Sequence, residues 1–101
     1  MQSGLGRTPA NLEESITTAT TAGVAITIDT DDGWVELFNN SSTTCYLVGT
    51  QSTDVTTGGG RVLIQNSFFS FDNQTPFRGT VYVKTAASTA EIRVFRGTYG
   101  R

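Results

Sequence analysis

The sequence predicts an all-β protein, a single small β-sandwich or jelly-roll-like barrel of about seven or eight short antiparallel strands. Two observations predict this fold class. The 101 residues include 18 threonines and 11 glycines; both are poor helix formers, and threonine favours strands. Apolar residues also alternate with polar ones in short runs, and turn-forming residues separate these runs about every 8–12 positions. A chain of this length typically forms one domain.

The first half of the domain contains three predicted strands, in residues 24–28, in "WVELF" and in "TTCYLVG". Alternation with period two is typical of a half-buried strand. In "WVELF", Val35 and Leu37 share one face, whereas Trp34, Glu36 and Phe38 share the other. The turn residues "NNSS" join this strand to the next as a hairpin.

The second half contains four more predicted strands, in "RVLIQ", "NSFFSF", "TVYVKT" and "AEIRVF". Val62 and Ile64 share a face of the first of these. In "NSFFSF", Phe69 and Phe71 point to one side and Phe68 to the other. An exposed phenylalanine on the second side would suit an interface, and a strand buried on both faces is the alternative.

The N-terminal residues 1–15 are polar and show no periodicity, which predicts an arm ahead of a β-sandwich domain at 16–101. Within this arm "TPANLEES" favours one helical turn, with Thr8 as N-cap and Pro9 at the first helical position. Such an arm is either disordered or ordered on a partner.

Catalytic residues are not predicted, and the protein is expected not to be an enzyme. The chain contains no histidine, which removes the Ser-His and Cys-His pairs that activate most nucleophiles. The single cysteine, Cys45, lies within a predicted strand and is expected to be a small buried hydrophobe without a disulfide.

Cofactor and metal sites are not predicted either. The acidic segment "DTDDG", Asp29–Gly33, superficially resembles a calcium loop, but its spacing is compressed relative to an EF-hand. We interpret it as a turn between strands, with a cation site between subunits as the alternative. The segment "TTGGGRV" lacks the lysine and Ser/Thr of a phosphate loop and precedes a strand. Its glycines therefore predict a tight corner with positive φ.

The charge distribution is uneven. Residues 1–50 hold six acids and one arginine, a net charge of −5, and residues 51–101 hold three acids and six bases, a net charge of +3. This split is either ordinary surface variation or a pair of complementary patches that meet on neighbouring copies. The sequence shows no basic face for nucleic acid and no apolar run of about 18 residues for a membrane span. It shows no signal peptide, so cytoplasmic synthesis is expected.

Contact residues are predicted from the arginine bias and from the exposed positions of predicted strands. Six arginines against one lysine favour an interface, since arginine is enriched there and binds carboxylates in bidentate fashion. In "EIRVFRG", Glu91, Arg93 and Phe95 alternate onto one face. The candidate contact residues are Arg7, Leu12, Phe68, Arg78, Arg93, Phe95 and Arg96.

A family resemblance adds to this interpretation. The run "ELFNNSSTTCYLVG", the Thr/Gly loop "VTTGGG", the aromatic strand pair after it and the closing hairpin "VYVKTAASTAEIRV" resemble small β-sandwich virion proteins of tailed bacteriophages. The likeness covers residues 34–96.

The resemblance implies a capsid decoration or cement protein, at the capsid surface of the virion, that binds across capsomers and stabilises the shell. The implied partners are the major capsid protein and further copies of this chain, as a trimer or dimer. A head or tail fibre or connector component, and a carbohydrate-binding adhesion module, are the alternatives.

Overall fold

The computed structural model describes residues 9–29, 32–71 and 77–99, and of these it gives 9–12, 32, 98 and 99 by backbone alone. In this part of the chain, the regular elements are strands and one short 3-10 helix, so the predicted all-β class is confirmed. The strands are β1 (Pro9–Ala19), β2 (Val24–Ile28), β3 (Asp32–Asn39), β4 (Cys45–Val48), β5 (Arg61–Leu63), β6 (Phe68–Phe71), β7 (Gly79–Thr85) and β8 (Ala90–Tyr99); the 3-10 helix is Val55–Thr57.

The strands form two four-stranded antiparallel sheets. Sheet A has the order β1-β8-β3-β6 and sheet B the order β2-β7-β4-β5. Four of the pairs, β1 with β8, β2 with β7, β3 with β6 and β4 with β5, join strand n to strand 9 − n. A chain paired in this way is a long hairpin rolled into two facing sheets, which is the jelly-roll topology.

This pairing brings the acidic first half of the chain against the basic second half. Because every strand from the first half pairs with a strand from the second half, opposite charges meet within one molecule. Arg93 of β8 forms an ion pair with Glu14 of β1, with 3.3 Å between Nη1 and Oε2. At this pair an acid from the first half of the chain is paired with an arginine from the second half. This pairing lies within one molecule and does not require a neighbouring copy.

The core lies between the sheets and follows the predicted alternation. Val35 and Leu37 of β3, Ile92 of β8 and Val83 of β7 have no exposed surface. Cys45 is equally buried, in agreement with its expected role as a small hydrophobe. Burial of each large aliphatic side chain contributes about 1.5–3 kcal/mol to folding.

The first strand was not predicted from the sequence. Residues 9–15, which were expected in the arm with a helical turn, instead form the first part of β1 and pair with β8. The predicted helical turn is therefore wrong over these residues, and the rest of the predicted arm, residues 1–8, lies outside the described residues. The reason is tertiary, since a polar edge strand is stabilised by its pairing with β8 rather than by its own sequence pattern.

The first crossing between the sheets depends on one carbonyl group. Thr20 follows β1, and its carbonyl oxygen accepts hydrogen bonds from the backbone N–H groups of Gly23, at 3.1 Å, and of Thr85, at 3.0 Å. The first bond closes the turn into β2, and the second attaches this corner to β7 of sheet B. The end of β1 is thereby fixed to both sheets.

A buried side-chain amide joins the sheets where β3 ends. Asn39 is fully buried, and its Nδ2 donates to the carbonyl oxygens of Thr43, at 2.9 Å, and Leu63, at 2.8 Å. Its Oδ1 accepts from the backbone N–H of Ser41 at 2.9 Å. Since a buried polar group is tolerated only when it is hydrogen-bonded, this amide ties β3 of sheet A to the β4–β5 hairpin of sheet B.

The corner between β5 and β6 turns one apolar residue inward and leaves its neighbours outside. Leu63 is 2 % exposed, whereas Val62 and Ile64 are 55 % and 57 % exposed, so the face that these two share is the solvent face. Asn66 has a φ of +63° in the turn between β5 and β6. Arg61 places its guanidinium 4.5 Å from the ring centroid of Phe69, which closes this edge of the sandwich by a cation–π contact.

Replacing Asn39 by alanine is expected to destabilise the fold strongly. The Asn39→Ala change leaves two carbonyl oxygens and one N–H without their partner, so we expect a loss of about 2–4 kcal/mol in the free energy of unfolding. Urea denaturation measures this loss. The matched control is Asn40→Ala, because the side chain of Asn40 donates to the exposed carboxylate of Glu91; equal losses in the two variants would contradict the role of Asn39.

Candidate interaction surface

The chain's own loop covers part of the outer face of sheet B. The segment between β4 and β5, residues 49–60, contains the 3-10 helix and lies over this face. Val55 in the helix and Val48 of β4 are each 5 % exposed, and Lys84 of β7 is 8 % exposed. Little apolar surface on this part of sheet B is therefore available to a partner.

Lys84, the only lysine of the chain, attaches this loop to the sheet. Its Nζ donates hydrogen bonds to the carbonyl oxygens of Gln51 and of Thr53, the latter at 2.8 Å. The loop is also bound to the β1–β2 turn, since Gln51 Nε2 donates to the carbonyl oxygen of Gly23 at 3.1 Å. A buried ammonium group needs such acceptors, because its desolvation is otherwise costly.

The glycine run ends this loop as a tight corner, as predicted. Gly58 and Gly60 have φ values of +93° and +88°, which L side chains rarely adopt. A Cβ at Gly60 would lie 2.6 Å from Cγ1 of Val48, so the backbone approaches the sheet closely here. The glycines thus shape the loop.

The aspartate of this loop also has a structural role. Asp54 caps the 3-10 helix and accepts hydrogen bonds from the Thr56 hydroxyl, at 2.6 Å, and the Thr56 N–H, at 2.9 Å. These bonds to the Thr56 side chain and backbone lower the pKa of Asp54.

The outer face of sheet A, by contrast, is not covered by any described residue. Because the inward positions of β3 and β8 are buried, the alternate positions point away from sheet B. We call these outward residues the sheet A outer face; they are Glu14, Ile16, Thr18, Trp34, Glu36, Phe38, Phe68, Ser70, Glu91, Arg93 and Phe95.

Strand register arranges these residues in rows across the sheet. One row runs Ile16, Arg93, Phe38 and Phe68 from β1 to β6, and the next runs Glu14, Phe95, Glu36 and Ser70. Residues opposite each other in an antiparallel sheet have Cβ atoms about 4.5–5.5 Å apart. The apolar members of the face are therefore neighbours.

The apolar side chains at the two edges of this face are the most exposed. Ile16 on β1 is 58 % exposed and Phe68 on β6 is 60 % exposed. Trp34, Phe38 and Phe95 lie between these edges and are half-buried. Exposed apolar side chains of this kind are typical of a contact surface.

The charged groups of the face are mostly acidic. Arg93 binds Glu14, and its Nε lies 3.4 Å from Oε2 of Glu91. Asn40 also donates to Glu91, at 2.9 Å. Glu36 makes no hydrogen bond or ion pair with another described residue. Three carboxylates against one guanidinium give the described face a net charge of −2.

The structure brings three of the seven predicted contact residues together. Phe68, Arg93 and Phe95 lie on the sheet A outer face, and Leu12 is in register with Gly97, next to the row of Phe95. Arg96 lies on the opposite side of β8, in register with Val35.

Of the two remaining predicted contact residues, Arg78 alone lies in the described part of the chain. Arg78 lies just before β7, and its Nη1 donates to the carbonyl oxygen of Phe77 at 2.8 Å. Arg7 lies outside the described residues.

The candidate contact residues predicted from the sequence did not include Ile16, Trp34, Glu36 or Phe38. The alternation of "WVELF" placed the last three on one face, but it did not show which face of the strand is the core. Ile16 was placed in the predicted domain, but no strand was predicted at its position. The pairing of β1 with β8 supplies the missing information, because it places Ile16 opposite Arg93.

Candidate metal ligands are not assembled in the described part of the chain. No cluster of three or more His, Cys, Asp or Glu side chains that could hold a metal ion occurs there. Two residues of the acidic "DTDDG" segment, 30 and 31, lie outside it. Burial raises the pKa of the Cys45 thiol to about 11, so this group is neutral at physiological pH.

Comparison with protein-family models, curated proteins and solved structures gives no match. Among the described residues, the chain forms no helix with the length and apolar character of a membrane span.

Removing the two exposed apolar residues at the edges of the face is expected to leave the fold intact. The double change Ile16→Ser and Phe68→Ser alters side chains that contribute little to the core, so we expect the free energy of unfolding to change by less than about 1 kcal/mol. Leu37→Ala, in the core behind the same sheet, is expected to cost about 2–5 kcal/mol. Chemical denaturation compares the two, and a similar loss in both would show that the face is part of the packed structure.

Cys45 is expected to be unreactive in the folded protein. A thiol with a pKa of about 11 holds almost no thiolate at pH 8, and the thiolate is the nucleophile. Reaction with Ellman's reagent should therefore require denaturant; rapid labelling in native buffer would contradict this.

The stability that the neutral thiol contributes is complete below its ordinary pKa of 9.0 and is lost as the pH rises to about 11.

Proposed function

We propose that this protein is a capsid decoration protein of a tailed bacteriophage, which binds the assembled shell through the sheet A outer face. The observation that carries the proposal is the sheet A outer face, which no described residue covers and which exposes Ile16 and Phe68 at its edges. A sheet usually buries its apolar faces, so an uncovered one is expected to be covered by a partner.

Three further features support a binding role without catalysis. The jelly-roll topology occurs in viral capsid domains and in lectins, which supports the proposal by analogy of fold. Residues 34–96 resemble small virion proteins of tailed phages. In the described residues, the acid of the loop and the buried thiol have structural roles rather than catalytic ones.

The proposed mechanism is stabilisation by mass action. A protein that binds the assembled shell but not free capsomers shifts the equilibrium towards the shell by the free energy of its binding. The outward side chains of β3 and β8 suit this role, because they stand on strands that are already paired on both sides. Little conformational entropy is then lost on binding.

A carbohydrate-binding module is the second candidate. It is favoured by one observation, the half-buried aromatic residues Trp34, Phe38 and Phe95 around the carboxylate of Glu36. Aromatic rings can stack on sugar rings, and carboxylates accept hydrogen bonds from hydroxyl groups.

The copy number in purified phage particles tests the proposal. Mass spectrometry against the major shell protein should give a ratio near one or a simple fraction such as one third. A few copies per particle would indicate a fibre or connector component instead. Absence from the particle would reject the virion role, and specific binding to a glycan array would then support the carbohydrate module.

The face itself is tested by variants in a particle-binding assay. The change Ile16→Ser with Phe68→Ser should weaken binding to undecorated particles by about tenfold or more, because the edge residues lose their apolar contact. The matched control is Val62→Ser, which removes an equally exposed residue on sheet B. If the control weakens binding as much as the double variant, the contact surface is not sheet A.

A further inference from the structure

Glu36 is the centre of the sheet A outer face and has no polar partner in the described part of the chain. Along β3 its outward neighbours are Trp34 and Phe38, and across the sheet they are Phe95 on β8 and Ser70 on β6. Its side chain is half-buried. Three of its four nearest neighbours in the sheet are therefore aromatic residues.

The other carboxylates of the face differ from Glu36 in this respect. Glu14 and Glu91 both bind Arg93, and Glu91 also accepts a hydrogen bond from Asn40. Arg93 is opposite Phe38, in the row next to that of Glu36, and its guanidinium is held by the two other acids. The local cation is therefore already engaged, and Glu36 remains available.

A carboxylate surrounded by aromatic rings is suited to a cation. A guanidinium group placed there would pair with the carboxylate and would also contact the faces of the rings. Arginine fits better than lysine, because its planar group stacks on aromatic side chains and binds a carboxylate through two N–H groups. A partner that covered the face without a cation would leave Glu36 buried and unpaired, which is unfavourable.

The charge of the face also argues against a second copy as the occupant. Two identical faces, each with a net charge of −2, would repel each other on approach. A partner with an arginine among apolar residues would instead complement both the charge and the apolar surface.

We propose that Glu36, with Trp34, Phe38 and Phe95, forms a recognition site for an arginine side chain on the surface of a partner protein. This inference deepens the proposed function, on which the assignment of the partner to the phage shell rests. The arginine site itself is tested without the shell.

The direct test is a titration of the ¹⁵N-labelled full chain with N-acetyl-arginine amide, followed by NMR. We expect saturable shifts of the Trp34 indole N–H and of the backbone N–H groups of Glu36 and Phe95. N-acetyl-citrulline amide, which has the same shape without the charge, should give none. The lysine analogue should bind more weakly than the arginine compound. Equal affinity for the two compounds would indicate a general cation site instead of an arginine site.

Two variants make this test specific. Glu36→Gln keeps the size of the side chain but removes its charge, so we expect affinity for N-acetyl-arginine amide to fall by about tenfold or more. The matched control is Glu13→Gln, since Glu13 is exposed and lies on the other side of β1. Absence of saturable shifts in the unaltered protein, or equal affinity in the Glu36→Gln variant, would overturn the inference.

Binding of the same variants to undecorated particles separates this inference from the proposed function. If the unaltered protein binds particles and Glu36→Gln binds equally well, decoration stands and the arginine site is rejected. If the titration succeeds but the unaltered protein does not bind particles, the arginine site stands and the partner is not the shell.

Discussion

The buried ammonium group of Lys84 holds the chain's own loop against sheet B. It lies under the loop of residues 49–60 and binds the carbonyl oxygens of Gln51 and Thr53. A buried ammonium is stable only while those acceptors stay in place, so the loop remains over sheet B and Val55 remains buried. Part of sheet B is thereby covered by the chain itself, whereas the outer face of sheet A exposes Ile16 and Phe68.

The jelly-roll topology then determines what that open face contains. Because strand n pairs with strand 9 − n, β1 from the start of the domain and β8 from its end become neighbours, and β3 packs on the other side of β8. Residues separated by almost the whole sequence thereby form single rows, such as Ile16, Arg93 and Phe38. The same pairing neutralises part of the charge split, through Arg93 and Glu14. It also leaves Glu36 among aromatic side chains and away from the cation that its neighbours share.

The inward and outward faces of sheet A have different roles, which suits a small binding module. A domain of 101 residues has a thin core, and here the inward residues of β3 and β8, together with the amide of Asn39, connect the sheets. The outward residues contribute less to folding and are free to serve recognition. Side chains such as Phe68 can therefore change with the partner while the sandwich stays the same.

The sequence by itself determined the all-β class and most strand positions. It also determined which residues share a face in β3 and in β6, because alternation within "WVELF" and "FFSF" is a local property that burial in a sandwich enforces. It also determined the glycine corner at residues 58–60, since positive φ favours glycine. Only the tertiary structure decided that Pro9–Ala19 is a strand, because its pairing with β8 is a long-range interaction without a local pattern. Only the tertiary structure joined Ile16, Glu36, Phe68 and Phe95 into one surface and placed Arg96 on the other side. Strand register and the covering of sheet B depend on contacts between distant residues, and alternation within one strand carries no information about them.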